Sequence, residues 1–173
     1  MNRYLGGKES GFSLVELCTV LAGALILIVS AVPAYTSVVN SFRLVMSAGT
    51  ITTELQFARM KAVSSNEVFQ VRFDPAQRSY QVETGAGTLV AGPFQLPQGI
   101  LLNDGDGEAA ITFGNNVVAF SPTGTVAPGG TGAGSAGHVR IVNPMGAKVE
   151  VTVSSAGSVR QSRIYKSASP TYH

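Results

Sequence analysis

The chain has one cysteine, no tryptophan, two histidines, and charged residues at only 13% of its 173 positions. With Cys18 alone, no disulfide can form within the chain. His138 and His173 cannot build a histidine-based metal site with that cysteine, and no Cys/His zinc pattern exists. Serines are plentiful, but no nucleophile-elbow context surrounds one, so no catalytic residue, metal or cofactor is expected and the chain does not read as an enzyme. A formal charge of +2 is too small to imply nucleic acid or acidic lipid by itself. Apolar residues, at 45%, exclude a disordered chain, and 20 glycines favour turns and loops. The length suits one globular domain plus one further element.

The few charges are unevenly spread. From Glu67 to Glu108 six acids face two arginines, a balance of −4. From His138 onward Arg140, Lys148, Arg160, Arg163 and Lys166 face Glu150 alone, a balance of +4.

Residues Phe12 to Val32 form a run of 21 that is apolar except for Ser13, Glu16, Thr19 and Ser30. About 20 such residues cross a bilayer as a helix. A secretory signal would have a shorter apolar core followed by a small-residue cleavage site, whereas here a polar segment with Arg3 and Lys8 abuts the run directly. Those two cations should stay cytoplasmic and place the rest of the chain on the outer side. Glu16 is the informative residue. A carboxylate inside an apolar span is costly and reads as functional. Its cheapest partner is a positive group at the same depth in a neighbouring chain, and cleavage between Gly11 and Phe12 would create one, the α-amine of Phe12.

Gly11-Phe12-Ser13-Leu14-Val15-Glu16-Leu17 resembles the prepilin peptidase motif of type IV pilins and pseudopilins. The resemblance implies cleavage after Gly11, N-methylation of Phe12 by the prepilin peptidase/methyltransferase, and pairing of Glu16 with the amine of an adjacent subunit. It implies a leader over residues 1–11, a transmembrane and assembly segment over 12–36, and a periplasmic domain over 37–173. The mature chain is then expected to start at Phe12, anchored once in the bacterial inner membrane and incorporated with other pilins or pseudopilins into a filament.

Pro33 should kink or locally open the helix. Beyond it, Leu44, Ala48, Ile51, Leu55, Ala58 and Ala62 recur at steps of four and three, a stripe suited to packing on a sheet. The spacing predicts one helix from about Phe12 to Ser64, with an exit near Asn66. From Val68 the period becomes two, predicting strands over 68–73 and 78–84 around an Asp74-Pro75-Ala76-Gln77 turn. Further strands are expected at 100–103, 110–113, 117–121, 139–143, 149–154 and 158–165. A long helix followed by antiparallel strands predicts an α+β fold, and the resemblance implies that it is pilin-like. Glu54–Val63, Val68–Phe73, Phe120-Ser121-Pro122-Thr123-Gly124 and Val149–Val159 with Gly157 are similar to the GspH/FimT minor pseudopilins. That resemblance implies a minor subunit that helps initiate or cap a filament of a type IV pilus or a type II secretion system, serving protein secretion in the second case.

Three further patterns carry competing readings. Gly132–Gly137 matches a dinucleotide-binding glycine pattern but leads into a strand-like run, so it reads as a surface loop. Asn103–Glu108 has oxygen ligands but lacks the distal glutamate of a calcium loop and reads as a turn. Arg160, Arg163 and Lys166 read either as a guard on an edge strand or as phosphate contacts. DNA-uptake pilins of the FimT type resemble this chain in having C-terminal arginines, usually as Gly-Arg-x-Arg, where Gly157-Ser158-Val159-Arg160-Gln161-Ser162-Arg163 stands here. The alternative function is therefore a DNA-binding minor pilin, with DNA as a further partner.

Overall fold

A computed structural model describes residues 13–102, 109–127 and 136–166, side chains at 30, 31, 33 and 34 excepted. Helix α1 spans Leu14–Ser65 without a break at position 33. It stops where the backbone turns left-handed: Asn66 has φ 54°, and the Glu67 N–H reaches back to the Ala62 carbonyl at 3.3 Å. That six-to-one bond closes a Schellman-type end, for which asparagine is tolerated because its short polar side chain accommodates the left-handed region.

Seven strands follow: β1 Phe69–Asp74, β2 Ser79–Thr84, β3 Leu89–Gln95, β4 Val117–Phe120, β5 Gly137–Val142, β6 Lys148–Val153 and β7 Val159–Gln161. They form two antiparallel sheets, one in the order β3-β2-β1-β4 and one in the order β5-β6-β7. The β1–β2 turn is held by Asp74, whose carboxylate accepts the Gln77 N–H at 3.0 Å. Arg78 then takes φ 52° to enter β2.

The chain divides into two compact units, Met1–Ser37 and Val38–His173. Within the second, the predicted stripe Leu44, Ala48, Ile51, Leu55, Ala58 and Ala62 is fully buried, at 0% exposure. It joins Val71, Phe73, Val82 and Phe120 of the first sheet and Val139, Ile141, Val149 and Val151 of the second in one core. Alanine at three of the six stripe positions lets the helix backbone approach the sheets closely. Phe73 links to Tyr80 and Phe113, with ring centroids 6.0 and 6.2 Å apart.

Three expectations change. Leu89–Gln95 forms a strand where none is expected. It is the outermost strand of its sheet, and Gly92 and Pro93 fall at a register shift between the pairs Tyr80–Phe94 and Val82–Ala91, where the missing proline N–H interrupts no ladder pair. The segments expected as strands near 100 and 111 make single bridges to β5, Leu101 to Val142 and Ile111 to Val139. Their placement comes from burial of Ile100, Leu102, Ile111 and Phe113 rather than from a ladder. The final strand is β7 alone, three residues long. There the Ser162 hydroxyl accepts the Glu150 N–H at 2.9 Å, and Tyr165, rather than Ile164, re-pairs with Lys148 at 2.8 and 3.0 Å. One extra residue therefore bulges out and ends the alternation.

Candidate functional site

Glu16 lies in the first turn of α1, where its charge complements the positive helix end. Its surroundings are apolar and uncovered: Leu14, Leu17, Val20 and Leu21 are each more than half exposed, Leu14 at 77%. The neighbouring hydroxyl is satisfied locally, Thr19 Oγ1 donating to the Val15 carbonyl at 2.8 Å. Glu16 has no such partner among the described residues. Cys18 is a free, exposed thiol two residues further on. Gly11 and Phe12 lie outside the described residues, as do residues 103–108 and 128–135 of the acidic and glycine-rich loops. Among the described residues no helical stretch is long and apolar enough to cross a membrane. The apolar run of the sequence includes Phe12 and the side chains of Ser30 and Ala31, which fall outside that description.

In the second unit the basic C-terminal part is not all available. Arg140 is buried and donates to Glu150 Oε2 through Nε at 3.0 Å and Nη2 at 2.9 Å. These residues face each other across β5 and β6, and His138 Nε2 stands 3.9 Å from the same oxygen. Lys148 is buried as well. The exposed cations are Arg160 on β7 and Arg163 and Lys166 beyond it, none with a side-chain hydrogen bond or ion pair among the described residues. Because β7 ends at Gln161, Arg163 and Lys166 lie beyond the strand rather than on the one expected over 158–165.

A second carboxylate cluster was not legible in sequence. Glu83 is buried on the sheet face away from the helix and accepts from Gln70 Nε2 at 2.9 Å, from Arg72 Nε at 3.2 Å, and from Gln81 Nε2. Burial works to raise its carboxyl, but the hydrogen bonds from Gln81 and Gln70, with Arg72, hold it below the usual glutamate range. Gln81 lies two positions before Glu83 on β2, Gln70 directly across on β1, and Arg72 on the diagonal, opposite Gln81, which only the β1–β2 register reveals. Conversely, burial raises the Glu54 carboxyl on α1. Burial, and secondarily the Glu54 charge, push the Tyr80 hydroxyl well above its ordinary range. Among the described residues there is no group of three or more His, Cys, Asp or Glu side chains able to hold a metal.

Arg59 of α1 joins three parts of the domain. Its Nε donates to the Gly124 carbonyl at 2.8 Å. Gly124 and Gly157 both have positive φ, 77° and 76°, and their turns meet at this arginine. The Ser121–Gly124 segment and Gly157 were visible in the sequence as family-like, but nothing there showed that both lie against one helix side chain.

One long helix packed on antiparallel sheets, with an uncovered apolar start carrying a single carboxylate, places the protein in the pilin-like class of α+β folds. Residues 47–157 match the family described as Type II transport protein GspH, and the chain belongs to that family. Among solved structures, the minor pseudopilin EpsH from the type 2 secretion system of Vibrio cholerae is similar at 18% identity, over 69% of this chain and 95% of that one, with a TM-score of 0.49. The type IV minor pilin FimU of Pseudomonas aeruginosa PAO1 is similar at 16% identity, over 74% of this chain and 97% of that one, with a TM-score of 0.48. No curated protein sequence matches the chain closely enough to count as a relative.

Proposed function

We propose that the protein is a minor, non-enzymatic subunit of a type II secretion or type IV pilus filament, helping to initiate or cap it. In this reading the prepilin peptidase cuts after Gly11 and methylates Phe12, the apolar run anchors the chain once in the inner membrane with its domain in the periplasm, and Glu16 pairs with the Phe12 amine of an adjacent subunit. The observation that carries it is the Glu16 carboxylate, without a partner among the described residues and set among uncovered apolar side chains, in a chain of the GspH family. Once lipid or another subunit takes that apolar surface out of water, an uncompensated carboxylate there is costly, and a positive charge from a neighbour offsets it. Mass spectrometry of the membrane-extracted protein tests it: the mature chain should begin at N-methylated Phe12, and retention of Met1 would refute the processing.

Exposure of Arg160, Arg163 and Lys166 without partners among the described residues favours a second reading, contact with DNA phosphates. Three cations contacting about three phosphates give a log–log salt slope of roughly −2 to −3, with no sequence preference. An Arg160→Ala/Arg163→Ala variant should weaken binding to any DNA equally. Absence of a mobility shift for the wild-type chain at low salt rules this reading out.

A further inference from the structure

Within the second unit, α1 and the outer edge of the first sheet enclose an apolar groove of about 640 Å³. Phe42, Met46 and Thr50 line it from the helix, and Pro93, Phe94 and Leu96 from β3 and the turn beyond. Phe42 and Met46 are 65% and 55% exposed, large apolar side chains that the described residues leave uncovered. One charge sits in the lining, Arg43. It is exposed and has no side-chain hydrogen bond or ion pair among the described residues.

What fills the groove follows from where charge stops and resumes along the chain. The 26 residues from Leu17 to Phe42 carry no charge, and Glu16 and Arg43 bracket them. At about 1.5 Å per residue they make roughly 39 Å of helix, longer than the ~30 Å hydrocarbon core of a bilayer. Hydrocarbon and both headgroup layers together measure about 40–45 Å. A lone membrane-spanning subunit therefore holds its two bracketing charges in opposite headgroup layers with the least desolvation, Arg43 in the outer one. The long arginine stem follows apolar surface while its head stays among polar groups. At that level the groove meets phospholipid. Acyl chains match the apolar lining, and a phosphodiester matches a guanidinium, which grips it through two parallel hydrogen bonds. No carboxylate stands by to repel it from the strand side, since no charged residue lies between Glu83 and Asp104 in the sequence.

We infer that the groove between α1 and β3 is a phospholipid site at the outer leaflet, with Arg43 on the phosphodiester and an acyl chain against Phe42, Met46 and Phe94. This rests on the reading of the apolar run as a membrane span. It adds a lipid ligand for the folded domain, one that holds the domain against the bilayer until the subunit enters a filament.

The chain has no tryptophan, so a single introduced one reports on its own surroundings. The probe is the full-length protein in phosphatidylglycerol–phosphatidylcholine vesicles, with and without bromine on the acyl chains. Met46→Trp on the helix wall and Gln95→Trp on the strand wall should each lose about half their emission to brominated lipid. Val45→Trp, beside Met46 but outside the lining, should lose several-fold less. Adding Arg43→Gln should restore most of the emission at both walls, whereas Arg43→Lys, which keeps the charge, should restore less. Phospholipid retained by the detergent-extracted protein, counted by native mass spectrometry, should fall about tenfold in Arg43→Gln. No quenching at Gln95→Trp, equal quenching at positions 45 and 46, or lipid retention indifferent to Arg43→Gln would each overturn the proposal. So would unquenched, blue-shifted emission that grows with protein density, the mark of a second copy in the groove. Leu25→Trp, within the span, separates the two readings. Quenching there without quenching in the groove refutes this site alone, and no quenching there refutes the membrane span as well.

Discussion

At position 83 a carboxylate remains ionised while buried because three donors converge on it. Gln70 and Gln81 supply neutral donors, and Arg72, with 40% of its side chain exposed, a charge-assisted one weakened by solvent. Glu83→Gln would point an amide N–H₂ at a site built from N–H groups. It should lower stability by about 1–3 kcal/mol at neutral pH, read by chemical denaturation of the detergent-solubilised chain. The sign with pH follows from the direction of the shift. The folded-state carboxyl lies below its unfolded value, so its stabilisation is present above the ordinary glutamate range and is lost as pH falls through the lowered folded value. The deficit of the glutamine variant should therefore shrink over that acid range, and a deficit constant with pH would contradict the cluster.

At the scale of elements, α1 is tied to the sheets in two ways, by its apolar stripe and by Arg59. The stripe is generic, whereas the arginine holds the Gly124 turn by a hydrogen bond, and the Gly157 turn packs against that bond. A Cβ on Gly157 would collide with the Gly124 carbonyl oxygen, the acceptor of the Arg59 bond, and φ of 76° already disfavours any side chain there. Gly157→Ala should cost about 2 kcal/mol or more. Gly146 is a matched control: φ is 74° and nothing lies within 4 Å of an added Cβ, so Gly146→Ala carries the backbone strain alone, about 1 kcal/mol. Equal losses of thermal stability in the two variants would show that the clasp between helix and turns contributes nothing.

For the whole molecule, the decisive fact is where the core begins. Every buried hydrophobic side chain among the described residues lies at or after Leu44. The second compact unit starts at Val38, so removing residues 1–37 deletes apolar surface without opening the core. That fragment should be a folded monomer with mixed helix and strand signal in circular dichroism. Aggregation, or loss of the strand signal, would show that the domain depends on its apolar start.

The local chemistry of the sequence determined the helix, its buried stripe, its exit at Asn66 and the first hairpin, because each is set by contacts within a few residues. It also singled out Glu16, since a carboxylate in an apolar run is anomalous on composition alone. Tertiary structure decided what depends on neighbours distant in sequence. A Gly-Pro segment became part of edge strand β3 because a register shift there asks nothing of the proline nitrogen. The last strand stopped at Gln161 because the Ser162 hydroxyl took a ladder bond from Glu150. Two of the five C-terminal cations were removed from the surface by burial, Arg140 against the facing Glu150, which a count of charges along the chain cannot register. The groove beside Arg43 exists only because β3 packs next to α1, so neither its apolar lining nor its lone charge could be assembled from the order of residues.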